Sequence, residues 1–323
     1  MRIQQFYATQ DAFTDPDAFS GLYDDLPKSP SELRDIVSRL IIHVAWAAQY
    51  GIPPDTTMPR ETQAAGERLK QTQSLLPGSL RANRLPEKRS FGTCRDYSIM
   101  LCSMLRHQAI PARIRCGFAT YFPTCPFEDH WICEFWSSAD TRWVRADAQL
   151  DELHRKQLGI GFDPADLPTG TFLTAGQAWQ LARGGGVSED AIGHGAARGL
   201  WFIRVNMYRD LLVLRNQPVS AWDAWRNAGP ASKVLDNETL AAVDSLAEII
   251  VKLEAGTNRL ELLSDTASRS VRLGQKSVRN QQAVPLKRML CLPATRNRRR
   301  AWCRRATPRR PDCRPGHDRE TRS

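Results

Sequence analysis

GTCRDYSIMLCSMLRHQAIPARIRCGF, residues 92–118, holds a helix and a strand in immediate succession. Tyr97, Met100, Leu101, Met104 and Leu105 fall at i, i+3, i+4, i+7 and i+8, one apolar face of a helix. Cys94 stands three residues before Tyr97, in the first turn and on that same face. After Pro111, the residues Ala112, Ile114, Cys116 and Phe118 alternate with Arg113, Arg115 and Gly117, the period of a strand with one side buried. Two further strands, HWICEFW (130–136) and RWVRADA (142–148), flank the turn-like SSAD (137–140). A helix followed by strands joined through short turns predicts an α+β fold, the helix packed on an antiparallel sheet.

The flanks read as mostly helical. Ser29 caps a helix, Pro30 suits its first turn and Glu32 completes a capping box. Leu33, Ile36, Val37, Leu40, Ile41 and Val44 extend that pattern, and Gly51 ends it. Residues 52–60 form a Pro-rich connection, 61–76 a polar and exposed helix, and 77–90 a basic loop. Downstream, Thr174 and Gln177 make a second capping box before the Gly184–Gly186 run. Residues 201–215 are strongly apolar and compatible with helix or strand, and Leu240, Val243, Ala247 and Ile250 set a helix from Asp236 to Leu253. The expected divisions are a helical N-terminal flank (1–79), a core (80–165), a mainly helical C-terminal flank (166–268) and a basic, disordered tail (269–323).

Charge sharpens the last boundary. The net charge of +10 is uneven: residues 269–323 carry 17 Lys/Arg against 3 Asp/Glu, while residues 1–268 carry 28 against 32. The body is therefore mildly acidic. The Arg-rich tail is open to three readings: phosphate binding, disorder, or a shifted reading frame in a GC-rich gene. Nucleic acid is accordingly not an expected partner of the body. The start MRIQQFYATQDAF lacks the apolar stretch of a signal peptide, and no run approaches a membrane span of about 18 apolar residues. The cysteines at 94, 102, 116, 125, 133, 291, 303 and 313 include no CxxC pair, and the body holds an odd five. That spacing argues against a zinc ribbon or a disulfide framework, so no metal or cofactor is expected, and a reducing cytoplasm fits.

A cysteine attacks as thiolate, a form favoured by a helix N-terminus and by a neighbouring imidazole. Cys94 has the first by pattern. Among the histidines, His43 falls inside the apolar helical run, where a packed or half-exposed helix residue is expected. His107 sits at the other end of the Cys94 helix, about 20 Å away at 1.5 Å per residue. His154, in DELHRK, and His194, in a Gly-rich loop, are outside candidates, and His317 is in the tail. His130 stands out because a four-residue loop at 137–140 sets it directly opposite Asp147, a carboxylate able to orient the ring. A five-residue loop would place Asp147 opposite Trp131 instead. Arg95 and Asp96, beside Cys94, read either as an exposed ion pair or as part of the site rim. Cys102, Cys116, Cys125 and Cys133 read as packing or surface thiols, and Trp131, Trp136 and Trp143 as walls of the sheet.

The order Cys94, His130, Asp147, with the blocks GTCRDYSIMLCSMLRHQAIPARIRCGF, DHWICEFW and RWVRADAQLD, resembles the transglutaminase-like superfamily over residues 80–155. The resemblance implies a papain-like α+β core with Cys94 as nucleophile, His130 as base and acid, and Asp147 as the residue that orients it. It implies a hydrolase or acyltransferase working through a thioester, on a peptide, protein or small amide. A module of this type that has lost activity and serves in binding is the alternative. Hydrolysis and transfer, the substrate and the oligomeric state stay open.

Overall fold

The helix expected after Thr93 runs Cys94–His107, and Tyr97, Met100, Leu101, Met104 and Leu105 are all buried. The computed structural model describes residues 3–57, 64–217 and 234–254. In chain order the elements are α1 (Ile3–Tyr7), α2 (Pro30–Ser38), β1 (Ile41–His43), α3 (Ala65–Leu75), β2 (Ser90–Gly92) and α4 (Cys94–His107). The central strands β3 (Ala112–Ala119), β4 (Phe127–Ser137) and β5 (Arg142–Ala146) follow. Then come α5 (Glu152–Leu158), β6 (Phe172–Thr174), α6 (Ala175–Arg183), β7 (Ile192–His194), β8 (Ala197–Arg198), α7 (Leu200–Leu214) and α8 (Asn237–Glu254). The fold is α+β, as the sequence predicts. The basic tail, 269–323, lies outside the described residues.

The main sheet has the order β6-β3-β4-β7-β8, with β5 also paired to β4. The β3–β4, β4–β5 and β3–β6 pairs are antiparallel, and β4–β7 is parallel. β5 and β7 share one edge of β4: β5 takes Cys133–Ser137 and β7 takes Phe127 and Glu128. Met100, Leu101, Met104 and Leu105 of α4 join Ile114, Cys116, Trp131, Cys133 and Val144 of the sheet in one hydrophobic cluster. Each such side chain, once fully buried, contributes about 1.5–3 kcal/mol. A second cluster gathers Phe118 with residues of α6, α7 and α8. Thr174 and Gln177 form the expected reciprocal cap: Gln177 N–H donates to the Thr174 hydroxyl (3.3 Å), and Thr174 N–H to the Gln177 side-chain oxygen (3.1 Å). Residues 201–215, left open by the sequence, are α7.

Three expectations are corrected. α2 starts at its Ser29 cap but ends at Ser38, not at Gly51. The N–H groups of Arg39 and Leu40 bond three residues back, which closes the helix, and Ile41–His43 pair in parallel with Ser90–Gly92. β-Branched residues fit that pairing, and tertiary contact overrides the helical spacing. Gly51 is a stop for a different element, the 3-10 turn Val44–Tyr50, where its φ of 77° suits glycine. α3 is not an exposed helix: Arg68, Leu69 and Thr72 are buried. Arg113 and Arg115, read as the polar side of β3, are also buried.

Their burial rests on Glu134. Its carboxylate accepts Arg113 Nε (2.8 Å) and Arg115 Nη1 (2.9 Å) from β3 and Arg145 Nε (3.1 Å) from β5. Arg115 also makes a two-pronged contact with Asp210 of α7, at 3.0 and 2.8 Å. Burial raises the Glu134 carboxyl, but the three guanidiniums outweigh it and hold it well below the usual carboxylate range. Glu134→Gln leaves these arginines short of a counter-charge, so it should cost about 3–5 kcal/mol of stability, read by urea unfolding.

Candidate active site

Each residue of Gly92-Thr93-Cys94-Arg95-Asp96 has a structural reason. Thr93 is the extended N-cap of α4 (φ −117°, ψ 174°), which makes Cys94 the first helical residue. The Asp96 carboxylate accepts the Thr93 N–H (2.7 Å) and hydroxyl (3.2 Å) and pairs with Arg68 Nη2 of α3 (2.8 Å). A Cβ on Gly92 would lie 2.9 Å from Asp96 Oδ2 and 3.0 Å from Arg68 Nη2, so the close approach requires glycine. Arg95 is buried with its guanidinium 4.7 Å from the Phe13 ring centroid. Arg95 and Asp96 are therefore neither an exposed ion pair nor a rim; they fasten the start of α4. Cys94 itself is half-buried, where the unpartnered N–H groups of the first turn favour an anion.

His130 and Asp147 are both buried, and Nε2 of the ring lies 2.8 Å from Asp147 Oδ2. The register differs from the simple expectation by two residues. The last β4–β5 pair is Ser137↔Arg142, so the four-residue loop is 138–141, with Thr141 at φ 52°. His130 and Asp147 are then diagonal neighbours rather than directly opposite. A shift of two preserves the side of the strand from which each projects, and the contact survives. Nε2 is held by Asp147, which leaves Nδ1 as the free ring nitrogen, and Cys94 acts on the imidazole from the start of α4. Burial alone would push His130 down, but the charge and hydrogen bond of Asp147, with the Cys94 contact, raise it to about 10. Burial likewise raises Asp147, and His130, Tyr121 and the Gln149 N–H together bring it below its ordinary value.

Several supports were not visible in the sequence. The Tyr121 hydroxyl donates to Asp147 Oδ2 (2.7 Å), and the Gln149 N–H donates to Oδ1 (2.8 Å). Arg34 Nη1 of α2 donates to the carbonyls of Asp147 (3.3 Å) and Leu150 (2.7 Å). Tyr121 and Phe122 stand edge-on to the imidazole, with ring centroids at 5.9 and 4.9 Å. Tyr121 and Phe122 come one residue after β3 ends, so the only signal for them was position after a strand beside His130.

The other histidines lie elsewhere. His154 is fully buried, its Nδ1 2.9 Å from Asp151 and 3.2 Å from the Tyr50 hydroxyl. His194 is exposed and pairs with Glu128. His107 is at the C-terminal end of α4, 4.0 Å from Asp24. His43 is corrected from helix to strand, opposite Gly92. Cys102, Cys116, Cys125 and Cys133 are buried, and all five described cysteines are free thiols.

A half-buried cysteine at a helix start, an imidazole and a buried carboxylate thus meet within one segment. The family model of the transglutaminase-like superfamily core matches residues 62–148, a span that takes in α3 and closes one residue after Asp147. This segment is similar to the core of the transglutaminase-like superfamily. Among solved structures, a candidate cysteine protease from Cytophaga hutchinsonii is similar at 15% identity and a TM-score of 0.32. The overlap covers 52% of this chain and 44% of that one, so the chain spans less than half of that protein. No curated protein matches the sequence. The transglutaminase-like segment holds Cys94, His130 and Asp147, while α5 to α8 lie beyond it.

Two expectations follow from the pair. His130 is raised and Asp147 lowered, against ordinary values of about 6.5 and 3.9. The contribution of His130 is complete below about pH 6.5 and is lost as pH rises through about 10. That of Asp147 is present above about pH 3.9 and is lost on acidification through its lowered value. The stability gap between wild type and His130→Ala should therefore be widest between about pH 4 and 6.5 and shrink towards pH 10, as read by urea unfolding across pH. Tyr121→Phe removes a hydrogen bond to a charged acceptor and should lower stability by about 1.5–3 kcal/mol in the same measurement.

Proposed function

We propose that the protein is a cysteine enzyme that opens an amide or related acyl bond through a thioester on Cys94. The observation that carries this reading is the buried His130–Asp147 pair at 2.8 Å, with Cys94 at the first turn of α4 acting on the same imidazole. A helix start and an imidazolium both favour the thiolate, and a buried carboxylate stabilises that imidazolium.

The thiolate of Cys94 attacks the carbonyl carbon, and the carbonyl electron pair moves to oxygen. Backbone N–H groups at the start of α4 lie where they can hold the resulting oxyanion. His130, protonated, gives its proton to the leaving amine as the C–N bond breaks, which leaves the thioester. His130, now neutral, takes a proton from water or from an acceptor amine, and the second attack frees Cys94. Asp147 keeps the ring in one orientation throughout. Tyr121 and Gln149 keep Asp147 in place, so they act as positioning residues. Hydrolysis and acyl transfer share every step up to the thioester, and the substrate is a peptide, a protein or a small amide. Among the described residues no helix is long and apolar enough to cross a membrane. The free thiols fit a reducing compartment such as the cytoplasm.

Alkylation by iodoacetamide across pH, followed by mass spectrometry at Cys94, tests this. Wild-type Cys94 should react faster than a free thiol at pH 6–7, and His130→Ala should slow it by about 10-fold. A Cys94 no faster than a free thiol, with or without His130, would sink the proposal and leave a binding module.

A further inference from the structure

We propose that His43 supplies the side-chain donor of the oxyanion hole at Cys94. The inference rests on the reading of Cys94 as an acylated nucleophile and adds to it the residue that holds the acyl oxygen.

Register places it there. β1 runs parallel to β2, and His43 is the partner of Gly92, two residues before Cys94. Neighbouring strands lie about 4.8 Å apart, so β1 passes beside the chain that leads into the nucleophile. The Tyr97 hydroxyl, on the first turn of α4, donates to the carbonyl of Ile41 (2.9 Å) and fixes β1 against that turn. Partners in a sheet project to the same side, and a side chain on Gly92 would point at Asp96 of the same turn. The His43 ring therefore projects toward the start of α4.

The ring's chemistry is also settled. Nδ1 of His43 accepts the Ala45 N–H at 3.2 Å, as the cap of the Val44–Tyr50 turn. A neutral imidazole that accepts at Nδ1 carries its proton on Nε2. His43 is half-buried, and burial, together with the charge of His130, pushes it down to about 3. The ring is thus a neutral donor with a fixed tautomer, unable to compete with His130 for the thiol proton. A neutral N–H donor suits a developing oxyanion because it stabilises the charge without transferring a proton to it.

Two reagents separate this role from the others open to His43. With 4-nitrophenyl acetate, Cys94 Sγ adds to the carbonyl, a tetrahedral oxyanion forms, and its collapse expels 4-nitrophenolate and leaves an acetyl thioester. With iodoacetamide, Sγ displaces iodide at a saturated carbon, and no oxyanion forms. The rates are taken as the difference from Cys94→Ala. His43→Ala and His43→Asn should slow acylation by about 100-fold and leave alkylation within about 3-fold. Asn is a good cap, so His43→Asn keeps the turn while its shorter amide falls short of the acyl oxygen. Acylation of His43→Asn at the wild-type rate would reduce His43 to a cap and overturn the proposal. Equal slowing of both reactions would overturn it too, because His43 would then act through Cys94. Wild-type protein that alkylates readily but resists the ester would remove the oxyanion hole and leave the nucleophile; a Cys94 inert to both would remove the two readings together.

Discussion

One carboxylate sets the geometry on which the site depends. Glu134 stands directly opposite Arg145 across the β4–β5 hairpin and opposite Arg113 across β3–β4, and it is bonded to both. A one-residue slip of either pairing would turn these arginines to the other side and strand the buried charges. The Trp136↔Trp143 pair, with ring centroids 5.7 Å apart, reinforces the same alignment nearer the turn. His130 and Asp147 can meet only because this register holds. The charge network thus fixes, at a distance, a hydrogen bond in which it takes no part.

The site combines a rigid half with a more open one. His130 and Asp147 are buried, and every named hydrogen-bonding position of Asp147 is taken by Tyr121, Gln149 or His130. Cys94 is half-buried at a helix start, reachable from outside while anchored by Asp96 and Arg68. This division suits chemistry in which the acid–base group must not wander and the nucleophile must meet a molecule from solution. β5 leaves the sheet at Ala146, so Asp147 begins the turn and is free to face His130 diagonally instead of being committed to a ladder pair.

Much of this was legible in the sequence where the signal is local. The apolar face of α4, the Ser29 cap, the Thr174–Gln177 box and the alternation of β3 each lie within one element. The His130–Asp147 pairing was legible too, although through a hairpin count that is off by two residues and preserved by the period of the strand. What failed depends on partners far along the chain. Ile41–His43 looks helical next to Leu33–Val37 and becomes a strand only because Ser90–Gly92 arrives beside it. Arg113 and Arg115 look solvated until Asp210 on α7 and Glu134 on β4 supply counter-charges. Tyr121 carries no periodic signal, since its position is set by how the chain leaves β3.

β3 has a strand partner along its full length on one edge, but on the other β6 pairs only with Gly117–Ala119. Beyond that, α7 completes the edge: the Asp210 carboxylate accepts the Cys116 N–H at 2.9 Å, a bond that a neighbouring strand would otherwise make. α7 is thus a guard against self-association as well as part of the core. A chain synthesised as far as Asp147 already contains Cys94, His130 and Asp147, yet it carries an open strand edge until residues 200–214 emerge and dock. Such an edge is a template for another chain. The interval between making the site and covering that edge is when the nascent chain has most need of a chaperone.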